Sequence, residues 1–135
     1  MHTELWQNER LLAKIIRLSD YKDGLDILTN KEDCIQVLTF NYRADHNMRA
    51  HKHIERHRTI QKTQEALVVL SGRVEVTTLG EDDKVIDVRI LESGDTYVLF
   101  NGGVGYKVLK NGTKMLEIKP GHYLVTYDDE DRVLI

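Results

Sequence analysis

The chain has 135 residues, a length typical of one domain and too short for two ordinary ones. Its 19 basic and 22 acidic residues give a net charge of −3, which argues against a dedicated nucleic-acid binder. No apolar stretch reaches the roughly 18 residues of a membrane span, and the N-terminal residues lack the apolar core of a secretory signal. The single cysteine, Cys34, excludes an internal disulfide. We therefore expect one cytoplasmic domain over residues 1–135 that binds neither nucleic acid nor membrane.

The first thirty-odd residues have a less definite pattern than the rest. Residues 11–16 form a short apolar run, which periodicity alone cannot assign to a strand or a helix. Residues 19–24 predict a turn. We expect residues 1–33 to form an extension that packs on the domain or on a dimer partner.

From residue 34 onward, short segments rich in β-branched and aromatic residues alternate with turn signals. The predicted strands are 34–42, 66–70, 73–79, 85–91, 96–100, 104–109 and 115–118. The dipeptides Ser71-Gly72 and Asn111-Gly112 predict hairpins between the strands that flank them. Strands spaced about every 8–12 residues are typical of an all-β sandwich or barrel.

Two histidines lie two residues apart, His51 and His53, in a window that holds four of the six histidines of the chain. In a strand such residues project from the same face, and Arg49 would lie beside them. Two imidazoles on one face are what a transition metal with nitrogen ligands requires. The alternative is an exposed polar face with no ligand.

A glutamate, Glu65, immediately precedes the apolar strand predicted at 66–70. A carboxylate at the mouth of a buried strand costs desolvation free energy unless it is paired or coordinates a metal. If Glu65 instead lies at the solvated end of the strand, no ligand is needed.

The spacing of these residues resembles the first motif of the cupins, a family of small jelly-roll β-barrels. In that motif a His-x-His pair is followed by a glutamate and then, after six residues, by a glycine, as in His51, His53, Glu65 and Gly72 here. The resemblance implies that His51, His53 and Glu65 hold a divalent metal such as zinc, iron, manganese or nickel. It also implies a homodimer.

A second stretch, residues 94–105, resembles the second cupin motif, which begins with Gly-Asp. Phe100 stands where a proline is usual, and Val104 or Gly105 stands where the last metal-binding histidine is usual. The resemblance covers about residues 36–118 and implies a jelly-roll barrel with a short N-terminal extension. A bound metal would then have three protein ligands, with water or substrate in its remaining positions.

The segment between the second histidine and Glu65 is longer than the usual cupin spacer. Residues 58–65 of this stretch resemble an Arg-Thr-Ile-x-x-Thr-Gln-Glu run in a subgroup of bacterial cupins linked to surface-polysaccharide and sugar-nucleotide gene sets. Guanidinium groups bind phosphate or carboxylate bidentately, so we predict an anionic or sugar-like small-molecule ligand. The predicted ligand-binding residues are Arg49, Arg56, Arg58 and Gln61. A solvated charged loop is the alternative.

Two further residues are candidates for catalysis. His57 has the side chain best suited to proton transfer near neutral pH, and a surface histidine is the alternative. Tyr106 lies close to the position of the missing histidine and would present a phenol to a substrate, unless it is a core aromatic. The glycines at 102–105 lack the helix and the lysine of a phosphate-binding loop, so no nucleotide cofactor is expected.

Three functions remain open on the sequence. The first is a small-molecule cupin with a divalent metal. The second is a metal-free sugar-nucleotide isomerase or epimerase with a histidine base, which resembles the deoxysugar ketoisomerases at residues 50–53. The third is a non-catalytic ligand-binding module.

Overall fold

The structure is a computed structural model that describes residues 1–121 and 133–135. Over these residues the chain forms ten strands and one short 3-10 turn, Leu18–Asp20, so the prediction of an all-β chain is confirmed. The strands are β1 (Thr3–Gln7), β2 (Arg10–Ile16), β3 (Gly24–Ile27), β4 (Leu38–Asn41), β5 (Glu65–Ser71), β6 (Arg73–Leu79), β7 (Val85–Glu92), β8 (Thr96–Leu99), β9 (Gly103–Val108) and β10 (Lys114–Ile118). None of the described segments is a helix with the length and apolar character needed to cross a membrane.

The described strands are divided among three antiparallel sheets. A five-stranded sheet has the order β1-β2-β8-β5-β10, a three-stranded sheet has the order β7-β6-β9, and β3 pairs with β4 alone. Strand β2 lies between β1 and β8. Residues 1–16, which the sequence places in an N-terminal extension, are therefore an integral part of the largest sheet.

The main hydrophobic core lies between the five-stranded and the three-stranded sheet. Successive residues of a strand point to opposite faces, so Leu67 and Val69 of β5 project towards Val74 and Val76 of β6. Ala13 and Ile15 of β2, with Tyr97 and Leu99 of β8, belong to the same cluster. We call this face of the five-stranded sheet its inner face, and the opposite one its outer face.

A second cluster of buried residues covers part of the outer face. Its buried members are Ile16, Leu28, Ala66, Val98 and Phe100. The segment between β3 and β4 packs over them and is fastened by two hydrogen bonds at Leu28. The Leu28 amide donates to the Val37 carbonyl at 2.9 Å, and the Lys14 ammonium donates to the Leu28 carbonyl at 2.7 Å.

The two predicted hairpins are wrong. Strands β5 and β6 flank Ser71-Gly72, yet they belong to different sheets, and the same holds for β9 and β10 on either side of Asn111-Gly112. Each turn is a corner at which the chain crosses from one sheet to the other. At the first corner Gly72 has a φ of 91° and lies directly against Thr113. A hairpin dipeptide signals a sharp turn, but it does not determine whether the next strand continues the same sheet.

We expect Gly72→Ala to lower the free energy of unfolding by about 2 kcal/mol. A Cβ at this position would lie 2.6 Å from the Thr113 Cα, so backbone must shift, and the left-handed conformation adds its own cost. The matched control is Gly112→Ala, where φ is 79° and no atom lies within 4 Å of the added Cβ. The control should lose only about 1 kcal/mol in urea unfolding. Equal losses would show that the contact with Thr113 has no cost.

Candidate functional site

The segment that carries most of the predicted site residues lies outside the sheets. Residues 42–64 contain no strand or helix, and residues 43–63 are all exposed. The expectation that His51 and His53 lie on a strand is therefore wrong. The segment is rich in charged side chains, and its few large apolar ones, such as Met48, Ile54 and Ile60, remain exposed, so little burial favours a sheet. We call residues 43–64 the histidine-rich segment.

Within this segment His51 and His53 lie next to each other. Their ring centroids are 5.1 Å apart with the planes at 72°, and the Nδ1 atom of His51 is 3.1 Å from the Arg49 carbonyl oxygen. In residues 1–121 and 133–135 no three histidine, cysteine or acidic side chains are grouped closely enough to hold a metal ion. The structure thus brings the two histidines together, but Glu65 does not join them in a three-ligand set.

Residues 53–58 of the histidine-rich segment line an open depression. His53, Arg56, His57 and Arg58 contribute to its lining together with Ile54 and Glu55. His57 is also 3.5 Å from the Thr59 hydroxyl through its Nε2 atom. The predicted ligand-binding residues Arg49 and Gln61 are exposed in the same segment but do not line the depression.

Glu65 and Tyr106, in contrast, meet between the two larger sheets. Glu65 is the first residue of β5, and it shares the inner face with Leu67 and Val69. Tyr106 lies on β9 of the three-stranded sheet, and its hydroxyl donates a hydrogen bond to Glu65 Oε1 at 2.9 Å. This contact bridges the sheets at the point where the histidine-rich segment enters β5.

The Glu65–Tyr106 contact belongs to a larger polar group on the inner face. The Tyr97 ring lies edge-on to the Tyr106 ring at 6.4 Å, and its buried hydroxyl is 2.7 Å from the Thr78 hydroxyl. On β10, Glu117 is the direct cross-strand neighbour of Leu67, so its side chain emerges on the inner face beside Glu65. We call these residues the interior polar cluster: Glu65, Thr78, Tyr97, Tyr106 and Glu117.

The surroundings of the cluster raise the pKa values of Glu65 and Tyr106 and so favour their protonated forms. Burial is the largest cause that raises the pKa of Glu65, and a hydrogen bond and charge repulsion from Glu117 raise it further. The hydrogen bond from Tyr106 and the charge of Lys119 lower it only in part. Burial and the neighbouring Glu65 carboxylate also raise the pKa of Tyr106, so this phenol remains a hydrogen-bond donor.

We expect Glu65→Gln to stabilise the fold at neutral pH by about 1 kcal/mol, a small value because Glu65 is only half-buried and solvent screens its charge. A carboxyl with a raised pKa destabilises the folded state once pH exceeds its unfolded value, 4.5. The penalty grows until pH passes the folded pKa and is constant above it. Glutamine does not titrate, so the variant's advantage in urea unfolding should vanish below pH 4.5. An advantage independent of pH would show that Glu65 has no raised pKa.

Sequence reasoning missed the residue that anchors the histidine-rich segment. Gln64, the last residue of the segment, is only 1% exposed. Its side chain accepts a hydrogen bond from the Cys34 amide at 2.7 Å and donates to Asp33 at 3.0 Å and to the Phe100 carbonyl at 3.5 Å. Its anchoring role cannot be predicted from the sequence, because its partners come from distant parts of the chain.

At the position where the cupin resemblance would place a histidine, the side chain is apolar. Val104 and Tyr106 both pack against the inner core, whereas Gly105 lies between them and faces the other way. Val104 thus takes the inward position and offers no metal ligand.

Comparisons of the chain with protein-family models, with curated proteins and with solved structures found no match. The assignment of a function therefore rests on the site itself.

Proposed function

We propose that the protein binds an anionic, hydroxyl-rich small molecule, such as a sugar phosphate or a sugar nucleotide, at the interior polar cluster. One observation carries this proposal: Glu65 is half-buried, and its Oε1 atom accepts a hydrogen bond from the Tyr106 hydroxyl at 2.9 Å. A carboxyl group at the mouth of a core costs desolvation free energy. Ionisable groups whose pKa is shifted by burial and by a charged neighbour are concentrated at binding and catalytic sites.

The chemistry of the cluster suits the hydroxyl groups of a sugar. Glu65 offers both a donor and an acceptor when it is protonated, and Glu117 offers acceptors beside it. Tyr106 supplies a phenol that stays protonated. Because a sugar hydroxyl both donates and accepts, it finds partners for both functions within this group.

The negative charge of the ligand is matched by the histidine-rich segment. Its end, at Gln64, is fixed directly before Glu65, and its depression presents Arg56 and Arg58 with two histidines. Guanidinium groups bind phosphate oxygens in pairs, which gives orientation as well as affinity. The proposal therefore places the sugar at the interior polar cluster and the phosphate at the arginines.

The architecture supports the finer fold proposal, a jelly-roll barrel of the cupin type. At the corners near Gly72 and Gly112 the chain crosses between two facing antiparallel sheets, as jelly rolls do.

With this fold we also propose a homodimer, the state that the cupin resemblance implies. Light scattering on the purified protein should give twice the monomer mass of 15.7 kDa. A monomer at high micromolar concentration would contradict that part of the proposal.

Titration calorimetry with glucose 1-phosphate and with UDP-glucose tests the proposed ligand class. We expect Tyr106→Phe to weaken binding about 10-fold, because it removes one hydrogen bond to the bound ligand. Tyr42→Phe is the matched control, since Tyr42 is exposed and stacks on His46 away from the cluster. Equal affinities in the two variants, or no binding of either compound, would contradict the proposal. Turnover of a nucleotide-linked keto sugar would add isomerase or epimerase activity to it.

A divalent metal at His51 and His53 is a second proposal, favoured by the contact between their two rings. Two imidazoles form part of a nitrogen-ligand site for zinc, iron, manganese or nickel. The cupin resemblance implies Glu65 as a third ligand, and because Glu65 lies apart from the two histidines here, it would have to be brought to them when the metal binds. Zinc titration followed by histidine NMR signals tests this arrangement. His51→Ala should weaken zinc binding at least 10-fold, whereas His2→Ala, at the N-terminus, should leave it unchanged. Equal zinc affinity in both variants would contradict a metal at this pair.

A further inference from the structure

Strand β7 forms an edge of the three-stranded sheet. In the order β7-β6-β9, β6 pairs with one side of β7, and none of the described strands pairs with its other side. Strand β7 is eight residues long and contains neither proline nor lysine. Proteins commonly place those residues on an exposed edge to prevent pairing with another chain. The edge of β7 is therefore open to a further strand.

Every second residue of β7 directs its backbone groups to this open edge. The Leu109 amide donates to the Arg73 carbonyl at 3.0 Å, so Arg73 and every second residue after it in β6 bond to β9. The residues between them bond to β7, where their partners alternate with the residues that face the open edge: Ile86, Val88 and Ile90. The Ile90 carbonyl accepts a hydrogen bond from the Arg17 guanidinium at 3.4 Å, and a carbonyl can accept two. The open edge therefore keeps donors and acceptors for a second strand.

The sequence along this edge is complementary in charge to an antiparallel copy of itself. A pair of β7 strands centred on Val88 would place Asp87 opposite Arg89 of the second copy. It would also place Lys84, which directly precedes β7, opposite Glu92 of the second copy, and every other residue opposite an apolar one. Moving the centre by one residue would instead place Asp87 against Asp87, or Arg89 against Arg89. The charges therefore favour one register.

We propose that β7 pairs with β7 of a second copy of this chain, antiparallel and centred on Val88. The proposal rests on the homodimer put forward above and names the surface that forms it. A two-fold axis through the centre makes such an interface self-complementary, and the two three-stranded sheets become one continuous sheet. Val88 is 53% exposed and Ile86 is 37% exposed. In the pair, Val88 lies beside Val88 of the second copy, and Ile86 lies beside Ile90 of the second copy, so this apolar surface is covered.

The charged side chains of β7 determine the register of this pairing. Asp87 and Arg89 alternate with the outward residues, so they point inwards, and their ion pair has a distance of 3.1 Å between Asp87 Oδ2 and Arg89 Nε. Inward-pointing charges on an edge strand normally oppose pairing with another chain. Here the two charges have opposite signs and are placed symmetrically about Val88, so each meets its complement in the second copy. Such complementarity fixes register and excludes other partners.

Sedimentation equilibrium on the full chain tests the surface with two lysine variants. Val88→Lys should weaken dimerisation at least about 10-fold, because it places two ammonium groups side by side at the centre of the interface. Leu116→Lys is the matched control, since Leu116 is 49% exposed and lies on β10 at the edge of the other sheet. The control should dimerise as the unchanged protein does.

Charge reversal tests the register. Asp87→Arg places like charges opposite each other at both Asp87–Arg89 contacts of the dimer, and so does Arg89→Asp. Each variant alone should dimerise at least about 10-fold more weakly. An equimolar mixture of the two should form a heterodimer with nearly the original affinity, because each new charge then meets its opposite. Where a charge variant does not fold, Val88→Lys decides the proposal.

The outcomes separate this surface from the other proposals. Equal dimerisation of Val88→Lys and Leu116→Lys, or no association between the two folded charge variants, would overturn the β7 interface and leave the homodimer standing. A monomeric unchanged protein at high micromolar concentration would overturn both. Neither result depends on the sugar-phosphate site, which is tested by ligand binding alone.

Discussion

Replacing Asp95 with alanine is expected to lower the free energy of unfolding by about 3 kcal/mol. The Asp95 side chain is 8% exposed and forms an ion pair with the Arg17 guanidinium. It also accepts a hydrogen bond from the Glu92 amide at 2.8 Å, which closes the turn between β7 and β8. Alanine removes both interactions and leaves the Arg17 charge partly buried without its partner.

The matched control for Asp95 is Glu92→Gln, in the same turn. Glu92 pairs with Arg73 at 3.4 Å, but its side chain is 65% exposed and Arg73 is 53% exposed. Exposed ion pairs contribute little, so this variant should lose less than about 0.5 kcal/mol in urea unfolding. Similar losses in the two variants would show that burial of the Asp95 pair is unimportant to stability.

Gln64→Ala is expected to have an effect of comparable size, about 3 kcal/mol, because it leaves a partly buried amide without its acceptor and creates a small cavity in place of a fully buried side chain. The Cys34 amide would lose its partner, and the segment between β3 and β4 would lose its link to β5. Hydrogen exchange should therefore become faster at Cys34, where local protection depends on this one contact.

Gln61→Ala is the control for Gln64, because Gln61 is exposed in the same histidine-rich segment. It should change neither the unfolding free energy nor exchange at Cys34 beyond measurement error. Unchanged exchange at Cys34 in Gln64→Ala would contradict the anchoring role. If Gln64→Ala is poorly folded, Gln64→Met keeps most of the side-chain volume without the acceptor oxygen, and it should show the same faster exchange at Cys34.

The strands could be predicted well from the sequence where alternation was clear. Residues 73–79 were predicted as a strand and form β6 with the same ends, and β7 extends only one residue beyond the prediction for 85–91. The order of strands in the sheets could not be predicted, because it depends on which apolar faces pack together. The turns at Gly72 and Gly112 have the sequence of hairpin turns, but the strands on either side of each turn belong to different sheets.

The candidate site could be predicted only in part. Glu65 and Tyr106 were each singled out, and they are in contact, but the contact spans the two sheets and has no signal in the local sequence. The strand predicted at the His-x-His pair does not form, because period-two spacing does not reveal whether the segment has enough apolar surface to pack as a strand. The Arg17–Asp95 pair was missed, since its members lie far apart in the chain.

The position of β2 in the five-stranded sheet bears on how the chain folds. Ala13 pairs with Leu99, so β2 needs a partner strand that lies more than 80 residues later in the chain. Contacts between residues so distant in sequence form only after long loops close, and loop closure costs conformational entropy before any apolar surface is buried. Refolding times on the order of milliseconds to seconds are therefore expected. During synthesis on the ribosome, the apolar side chains of β2 remain without their partner strand until β8 has emerged. Expression with a chaperone that shields nascent apolar segments should therefore raise the soluble yield.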